Sequence, residues 1–271
     1  MSLSARLNYL GFDRPDLQFA VKELMRRMTN PTVSDFIALK RVVRYLITAP
    51  RYAMTVPWQS MPDRIRVYVD ANWAGCVRTR NSTLGGIVCF GHMPVKSYSK
   101  TMSIIALSSG ESELAAIIKG AGEGLGFQSS LRDFELAIPL ELYSDATAAI
   151  GMCKREGLGR VRHLSTADLW IQQLIRHDRI RLFKCPSIEN PSDMCTKGLG
   201  RDRIVSLMQM VYYQLQGGRS PLAPVRNNVT PLLSPAAYDP DPDTGPDCAA
   251  PSPPATDLCI EPDSAPGKSG S

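Results

Sequence analysis

The sequence predicts an α/β fold in which a helical segment precedes a mixed sheet with flanking helices and a disordered tail follows. Apolar residues recur at helical spacing through about the first 58 residues. The pattern then changes to short β-branched stretches, and beyond residue 100 helices and strands alternate. Consecutive strands followed by such an alternation are typical of a mixed α/β sheet. The predicted regions are residues 1–58, 64–212 and 218–271.

Two helices are predicted in the first region, with a break at Pro31 and its neighbours. Apolar residues recur at positions 17, 21, 24 and 28, and again between residues 36 and 46. Thr32 or Ser34 can cap the second helix, because a side-chain oxygen there can accept from a free amide of the first turn. Periodicity alone supports a two-helix packing element and nothing more specific.

The strands of the second region begin with residues 64–70, which alternate and are rich in β-branched side chains. Two further strands, over residues 84–90 and 93–100, are separated by Gly91-His92, a hairpin signal. Trp73, which follows the first strand, is predicted to lie in the core.

A long helix begins after Ser108, because residues 108–111 fit a capping box and an apolar stripe starts at Leu114. The later predicted elements are a strand over 140–144, a helix from Ala146, a helix from Ser165 to about His177, a strand over 179–184 and a last helix from about Ser192.

Glycines at positions 120, 122, 124 and 126 lie inside the long helix. Their spacing does not match the G-x-G-x-x-G pattern of nucleotide-binding loops, and they do not join a strand to a helix. Because each glycine costs about 0.5–1 kcal/mol relative to alanine, the end of this helix is predicted to fray.

The tail differs from the rest of the chain in charge and proline content. From residue 218 onward there are three basic residues, seven acidic ones and 12 of the 21 prolines. Such a segment buries too little apolar surface to fold. Residues 1–217 then carry 28 basic and 19 acidic side chains, a net charge of +9 that favours an anionic partner such as nucleic acid.

Several classes of protein are disfavoured. No apolar run approaches the roughly 18–20 residues needed to span a bilayer, and the first 16 residues lack the layout of a signal peptide. The seven cysteines stand far apart without a C-x-x-C pair. A reducing compartment is therefore expected, without structural zinc or a disulfide framework.

Four carboxylates occupy strand ends or helix starts: Asp70, Glu113, Asp145 and Asp193. Converging carboxylates repel one another unless cations neutralise them, and oxygen ligands suit Mg²⁺. Two such ions about 3.5–4 Å apart can activate a water and stabilise the leaving oxygen of a phosphodiester. A single Asp or Glu is more often a cap or a solvated charge, so the residues by themselves leave both interpretations open.

Five ordered blocks of sequence carry a resemblance to a known family. They are residues 67–75 with 80–85, residues 96–100 with 106–116, residues 142–150, Arg162-His163 and residues 190–199. Across about residues 64–200 they resemble the ribonuclease H domain of copia-type long-terminal-repeat retrotransposons. The resemblance implies a ribonuclease H-like mixed five-stranded sheet with flanking helices.

Upstream, four short stretches are similar to the end of the reverse transcriptase of the same family, where thumb-like helices lie. They are residues 9–10, 14–16, 19–21 and 41–46. No Asp-Asp dipeptide occurs in the chain, so the polymerase's own metal site is absent from it. The resemblance therefore implies a piece of a Pol polyprotein that does not polymerise by itself.

The resemblance implies that Asp70, Glu113, Asp145 and Asp193 are catalytic and hold two Mg²⁺ ions, for which Mn²⁺ can substitute. The implied reaction is hydrolysis of the RNA strand of an RNA–DNA hybrid, which leaves a 3′-hydroxyl and a 5′-phosphate. Asp70 and Asp145 would hold the metals, Glu113 would also orient the attacking water, and Asp193 would complete the second site. Glu111 is the alternative candidate for the catalytic glutamate. Glu113 is preferred, because Glu111 lies at the capping-box position and the family's glutamate directly precedes Leu-Ala-Ala, as Glu113 does.

Nucleic-acid contacts are implied for Ser108, Ser109 and the amide of Gly110, at a helix N-terminus able to receive phosphate. Asn72 and Arg80 are further candidates for contact with the backbone. The alternatives for these two residues are an asparagine that stabilises a turn and a solvated arginine. Recognition of a hybrid depends on shape and the 2′-hydroxyl rather than on base sequence.

The implied partner is an RNA–DNA hybrid, with the rest of the reverse transcriptase as a further one. No membrane and no small-molecule cofactor is implied. The expected location is a cytoplasmic virus-like particle or the nucleus, and the protein is not expected to be secreted.

A second function stays open beside the enzyme, favoured by the missing polymerase metal site and the unrelated tail. Residues 185–190 lack the mobile histidine of cellular ribonucleases H, as copia-type domains generally do, and Ala146-Thr147 replaces the Asn-Gln pair that commonly follows the third aspartate. The alternative is a catalytically inactive or co-opted remnant that binds hybrid or duplex nucleic acid. An integrase would require a paired His/Cys zinc element, which the sequence lacks.

Overall fold

The computed structural model describes residues 3–157 and 169–218, which belong to one compact unit. The strands are β1 Arg51–Met54, β2 Ile65–Asn72, β3 Thr83–Phe90, β4 Met93–Thr101, β5 Leu140–Ser144, β6 Arg181–Lys184 and β7 Tyr213–Gln216. The helices are α1 Leu3–Gly11, α2 Gln18–Met25, α3 Val33–Thr48, α4 Ser109–Arg132, α5 Thr147–Lys154, α6 Trp170–Arg176, α7 Asp193–Thr196 and α8 Arg201–Met210.

The main sheet has five strands in the order β4-β3-β2-β5-β6. Strand β3 runs antiparallel to both of its neighbours, whereas β5 is parallel to β2 and to β6. The predicted mixed five-stranded sheet with flanking helices is therefore confirmed. Because β2 and β5 are parallel and adjacent, their carboxyl ends, which carry Asp70 and lead into Asp145, meet at one edge of the sheet.

Helix α4 packs across one face of this sheet. Val67, Val69 and Leu142 are fully buried beneath it. A Cβ on Gly120 would lie 2.3 Å from Cγ1 of Val69, and one on Gly124 would lie 2.7 Å from Cδ1 of Leu140. The prediction that these glycines fray the helix is wrong, because α4 is continuous and two of them let it approach the sheet closely.

The opposite face of the sheet is covered in part by α7 and α8. A second apolar cluster there joins Ile87 of β3 to Met194, Cys195, Leu207 and Met208 of these two helices. The predicted single last helix is two helices, since α7 ends at Thr196 and α8 begins at Arg201.

The N-terminal helices belong to the same compact unit, where α2 contacts β4 and α7. Arg14 and Asp16 form a buried ion pair, and Asp16 Oδ2 also accepts a hydrogen bond from the Tyr45 hydroxyl at 2.7 Å. Lys22 Nζ donates to Thr83 Oγ1 of β3 at 2.8 Å. Strand β1 pairs antiparallel with β7 in a separate two-stranded sheet. The predicted boundaries at residues 58, 64 and 212 remain a prediction.

Three details differ from the sequence prediction. Residues 51–54 form strand β1, inside the region 1–58 that is predicted to be helical. Trp73 is not in the core, since it is 46% exposed, although its Nε1 donates to the Ala106 carbonyl at 3.0 Å. Strand β6 begins at Arg181, two residues later than predicted, and follows a turn in which Asp178 has a left-handed φ of 50°.

Some predictions concern residues that the structure does not describe. They are His163, the helix start at Ser165 and residues 219–271 of the tail. Within the described ranges, no helix has the length and apolar character that a bilayer crossing requires.

Candidate active site

Asp70 lies near the end of β2, where its side chain is buried on the face that α7 covers. The Thr196 hydroxyl donates to Asp70 Oδ2. Strand β3 makes room for this contact, because a Cβ on Gly85, opposite Asp70, would lie 2.6 Å from Cγ2 of Thr196. The absence of a side chain at Gly85 thus allows α7 to fix the Asp70 carboxylate.

Glu113 is brought to the site by the first turns of α4. Ser108 caps this helix by accepting from the Glu111 amide at 3.2 Å, and the Glu111 carboxylate accepts from the Leu107 amide at 2.7 Å. Glu111 therefore stabilises the helix start, as expected from its capping position, and Glu113 is the glutamate that lies among the aspartates.

Asp145 follows β5 directly and comes from the strand next to β2. Its Oδ2 accepts a hydrogen bond from the Ser187 hydroxyl, which belongs to the loop after β6. This contact orients the Asp145 carboxylate.

Asp70, Glu113 and Asp145 form one cluster, in which one potential ligand atom from each lies within 4.8 Å of the others. Oε2 of Glu113 is buried and has no hydrogen-bond partner among the described residues. A buried carboxylate oxygen without a partner is costly unless something compensates it. Three carboxylates, one of which has this unpartnered oxygen, form a set of oxygen ligands that suits a hard divalent cation.

The electrostatics of the cluster agree with that fit. Burial, followed by the negative charges of Asp70 and Asp145, raises the pKa of Glu113 to about 8. Burial also raises the pKa of Asp70, and this effect outweighs the opposing influence of Lys197 and the Thr196 hydrogen bond. A cation at the cluster would reverse these shifts, because it favours the ionised carboxylates.

Asp193 does not belong to this three-carboxylate cluster, although it lies close by. Its Oδ1 is 2.8 Å from Lys197 Nζ, and its Oδ2 is 3.2 Å from Nη2 of Arg203. Lys197 Nζ is also 3.7 Å from Asp70 Oδ2. Although burial lowers it, the pKa of the Lys197 ammonium is raised overall by Asp70 and Asp193. The lysine thus joins Asp193 to the cluster.

The predicted phosphate contacts Ser108, Ser109 and Gly110 all lie at the N-terminus of the helix that carries Glu113. Ser108 and Ser109 are exposed. Gly110 sits against α5, since a Cβ there would lie 2.9 Å from Cε of Met152. The first turn of α4 therefore combines a helix N-terminus, the exposed residues Ser108 and Ser109, and proximity to the carboxylate cluster.

Asn72 is the last residue of β2, and Arg80 lies in the loop between β2 and β3. The Asn72 amide packs over the turn, where a Cβ on Gly75 would lie 2.4 Å from Nδ2 of Asn72. Arg80 is exposed, has a left-handed backbone with φ of 57°, and donates its amide to the Cys76 carbonyl. Both residues have a structural place in the loop, and their contact with nucleic acid stays a prediction.

Four residues of the site were not predicted from the sequence: Thr196, Lys197, Ser187 and Arg203. Thr196 and Lys197 fall inside the block of residues 190–199, and their spacing of three and four from Asp193 places them beside it on a helical turn. No comparable signal marks Ser187 or Arg203, because their contacts depend on how the loop after β6 crosses the sheet edge.

No family model matches the chain. The Pol polyprotein described as retrovirus-related, from transposon RE2 of Arabidopsis thaliana, is 31% identical over 198 residues, which are 72% of this chain and 14% of that protein. The corresponding polyprotein from transposon RE1 of the same plant is 29% identical over 198 residues, 72% of this chain and 13% of that protein. The chain thus spans about one seventh of the length of these curated relatives.

Among solved structures, LC11-RNase H1 isolated from compost aligns with a TM-score of 0.36 and 14% sequence identity. The alignment covers 49% of this chain and 93% of that one. The Pol relatives instead match most of the present chain, and the sequence blocks around Asp70, Glu113, Asp145 and Asp193 carry the same resemblance. The chain is homologous to a segment of the retrovirus-related Pol polyproteins of copia-type transposons.

Proposed function

We propose that this chain is the ribonuclease H part of a copia-type transposon Pol and hydrolyses the RNA strand of RNA–DNA hybrids as a metal-dependent endonuclease. One observation carries the proposal: the convergence of Asp70, Glu113 and Asp145 within 4.8 Å, with a buried Glu113 oxygen that lacks a partner. Homology to Pol polyproteins supports the same assignment.

The cofactor that suits this donor set is Mg²⁺, with Mn²⁺ as a substitute. Asp70, Glu113 and Asp145 would hold the first ion, and Asp193 with Asp70 would hold the second. When bound, the ions supply activation of a water molecule and stabilisation of the leaving oxygen of the phosphodiester.

The protein's own residues orient the carboxylates. Thr196 fixes Asp70 by donating to Oδ2, and Ser187 fixes Asp145 in the same way. Glu113 projects from a capped helix and keeps one oxygen free. In the absence of a cation Glu113 holds a proton at neutral pH, because its pKa is about 8. Ionisation of Glu113 therefore accompanies assembly of the active centre.

The proposed substrate would lie across the start of α4. Ser108, Ser109 and the Gly110 amide can receive the phosphates of one strand, because free amide groups at a helix N-terminus attract anions. Asn72 and Arg80 would contact the backbone from the end of β2 and from the β2–β3 loop. In the full polyprotein the rest of the reverse transcriptase would be the partner, in a cytoplasmic virus-like particle or in the nucleus.

The test is cleavage of an end-labelled RNA–DNA hybrid by the full chain with Mg²⁺ or Mn²⁺. Wild type should cut the RNA strand, and Asp70→Asn should lose the activity. Asp178→Asn is the matched control, because it removes an equal charge from a pair with Arg181 on an exposed surface and should cut like wild type. Folded wild type that binds the hybrid without cutting it would instead identify an inactive or co-opted binding module.

A further inference from the structure

The side chain of Lys197 lies between two carboxylates from different elements. Its Nζ is 2.8 Å from Asp193 Oδ1 and 3.7 Å from Asp70 Oδ2. The Asp70 and Asp193 side chains are only 4% and 10% exposed, whereas that of Lys197 is 41% exposed. The ammonium group thus neutralises a buried acidic pair from the solvent side.

Arg203 occupies the other oxygen of Asp193. Its Nη2 lies 3.2 Å from Asp193 Oδ2, and its guanidinium also donates to the carbonyls of Ser187 and Ile188 at 3.1 and 2.8 Å. Arg203 is therefore held by backbone as well as by Asp193. The only polar contacts of the Lys197 side chain within the described residues are the two carboxylates, so it can leave by rotation of its own side chain.

We propose that Lys197 is a built-in cation that competes with a second divalent ion for the Asp70–Asp193 pair. The inference rests on the proposed metal-dependent function. It states that the two ion positions of that proposal differ in affinity. The cluster of Asp70, Glu113 and Asp145 has a buried oxygen without a partner and is ready for an ion. At Asp70 and Asp193 the position is already neutralised by Lys197, and an arriving dication would meet a positive charge a few ångströms away.

This arrangement makes Lys197 a positioning residue rather than a catalytic one. In the absence of ions it limits the repulsion between Asp70 and Asp193, which would otherwise push α7 away from β2. With one ion bound it keeps the second site weak, so the second ion binds only when Lys197 rotates towards solvent. The number of ions bound at a given concentration should therefore depend on this side chain.

The experiment measures Mn²⁺ binding by the full-length chain, by electron paramagnetic resonance of free Mn²⁺ and by calorimetry, without substrate. Lys197→Met and Lys197→Gln remove the ammonium group, and Lys197→Arg keeps a positive charge. Lys96→Met is the matched control, because it removes an equal charge from a surface pair with Glu123. Circular dichroism checks that each variant folds.

Wild type, Lys197→Arg and Lys96→Met should bind one Mn²⁺ tightly, whereas Lys197→Met and Lys197→Gln should gain a second site at least about tenfold stronger than in wild type. Two equally tight ions in wild type and in Lys197→Met would overturn the competition while leaving the metal-dependent function intact. No Mn²⁺ bound by any folded variant would overturn the proposed metal centre and this inference with it.

Discussion

Asn190 donates its side-chain amide to the carbonyl of Val69, the residue before Asp70, at 2.9 Å. Its Oδ1 also accepts from the amide and the hydroxyl of Ser192, at 3.2 and 2.5 Å. Asn190 is fully buried. A single amide thus joins the strand that carries Asp70 to the turn that leads into Asp193, and it fixes how two distant parts of the chain meet at the site.

Replacement of Asn190 by alanine should destabilise the protein by about 1–3 kcal/mol, because it leaves a buried carbonyl and a buried hydroxyl without their partner. The free energy of unfolding in urea measures the effect. Asn30→Ala is the control, since Asn30 is exposed in a turn, and it should change that free energy by less than about 0.5 kcal/mol. Equal effects of the two substitutions would contradict the role given to Asn190.

The glycines of α4 give a second prediction with its control in the same helix. Gly120→Ala should destabilise the fold by about 1–3 kcal/mol, because the new methyl would lie 2.3 Å from Cγ1 of Val69. Gly122→Ala has open space around it and should stabilise by about 0.5–1 kcal/mol through helix propensity. Thermal unfolding of both variants should shift in opposite directions, and a shift in the same direction would refute this account.

The strands of the main sheet could be predicted from the sequence because their pattern is local. Alternation and β-branching marked β2, and the hairpin signal at Gly91-His92 separated β3 from β4, all to within two residues. Residues 140–144 were predicted with the bounds that β5 has. Strands β1 and β7 were not predicted, because each is four residues long and its partner lies at the other end of the described chain. The glycines of α4 were misinterpreted for a similar reason. Propensity assigns them a local cost, whereas their benefit arises from contact with Val69 and Leu140 in a sheet that no local pattern reveals.

In the candidate active site, too, some features follow from local sequence and others depend on tertiary contacts. Asp70 lies near the end of a strand, Asp145 follows the neighbouring strand, and Glu113 follows a capping box. These sequence positions are compatible with convergence at one sheet edge, and the family resemblance favours it over isolated caps or solvated charges. Their assignment as catalytic residues remains a prediction. The spacing of Lys197 from Asp193 is that of neighbours on a helical turn, so this ion pair has a signal in the sequence. The ion pair of Asp193 with Arg203 could not be foreseen, because it depends on the break between α7 and α8 that turns Arg203 back towards the site.

The raised pKa of Glu113 predicts how the stability of the metal-free protein depends on pH. The ordinary pKa is 4.5 and the folded-state pKa is about 8, so between these values the folded chain binds more protons than the unfolded one. The free energy of unfolding should therefore fall as pH rises through this window. Unfolding in urea with a chelator, at about pH 5.5 and about pH 8.5, measures the fall.

Glu113→Gln should reduce this dependence on pH, because its amide does not titrate. Asp70, whose pKa is also raised, contributes a slope of the same sign, so a residual dependence should remain. Saturating Mn²⁺ should flatten the wild-type profile by stabilising the ionised carboxylates. Parallel profiles of wild type and Glu113→Gln without metal would show that Glu113 titrates near its ordinary value.

The N-terminal helices should be needed for a stable active site. The 3₁₀ turn Pro15–Leu17 and α2 pack against α7, which carries Asp193 and Thr196, and β1 supplies the pairing partner of β7. A chain of residues 59–218 should therefore melt at least about 5 °C below one of residues 1–218 and bind Mn²⁺ more weakly. Differential scanning fluorimetry and Mn²⁺ titration of the two chains test this. Equal melting and equal affinity would mean that residues 64–212 fold and bind metal independently, with the helices as a separate domain.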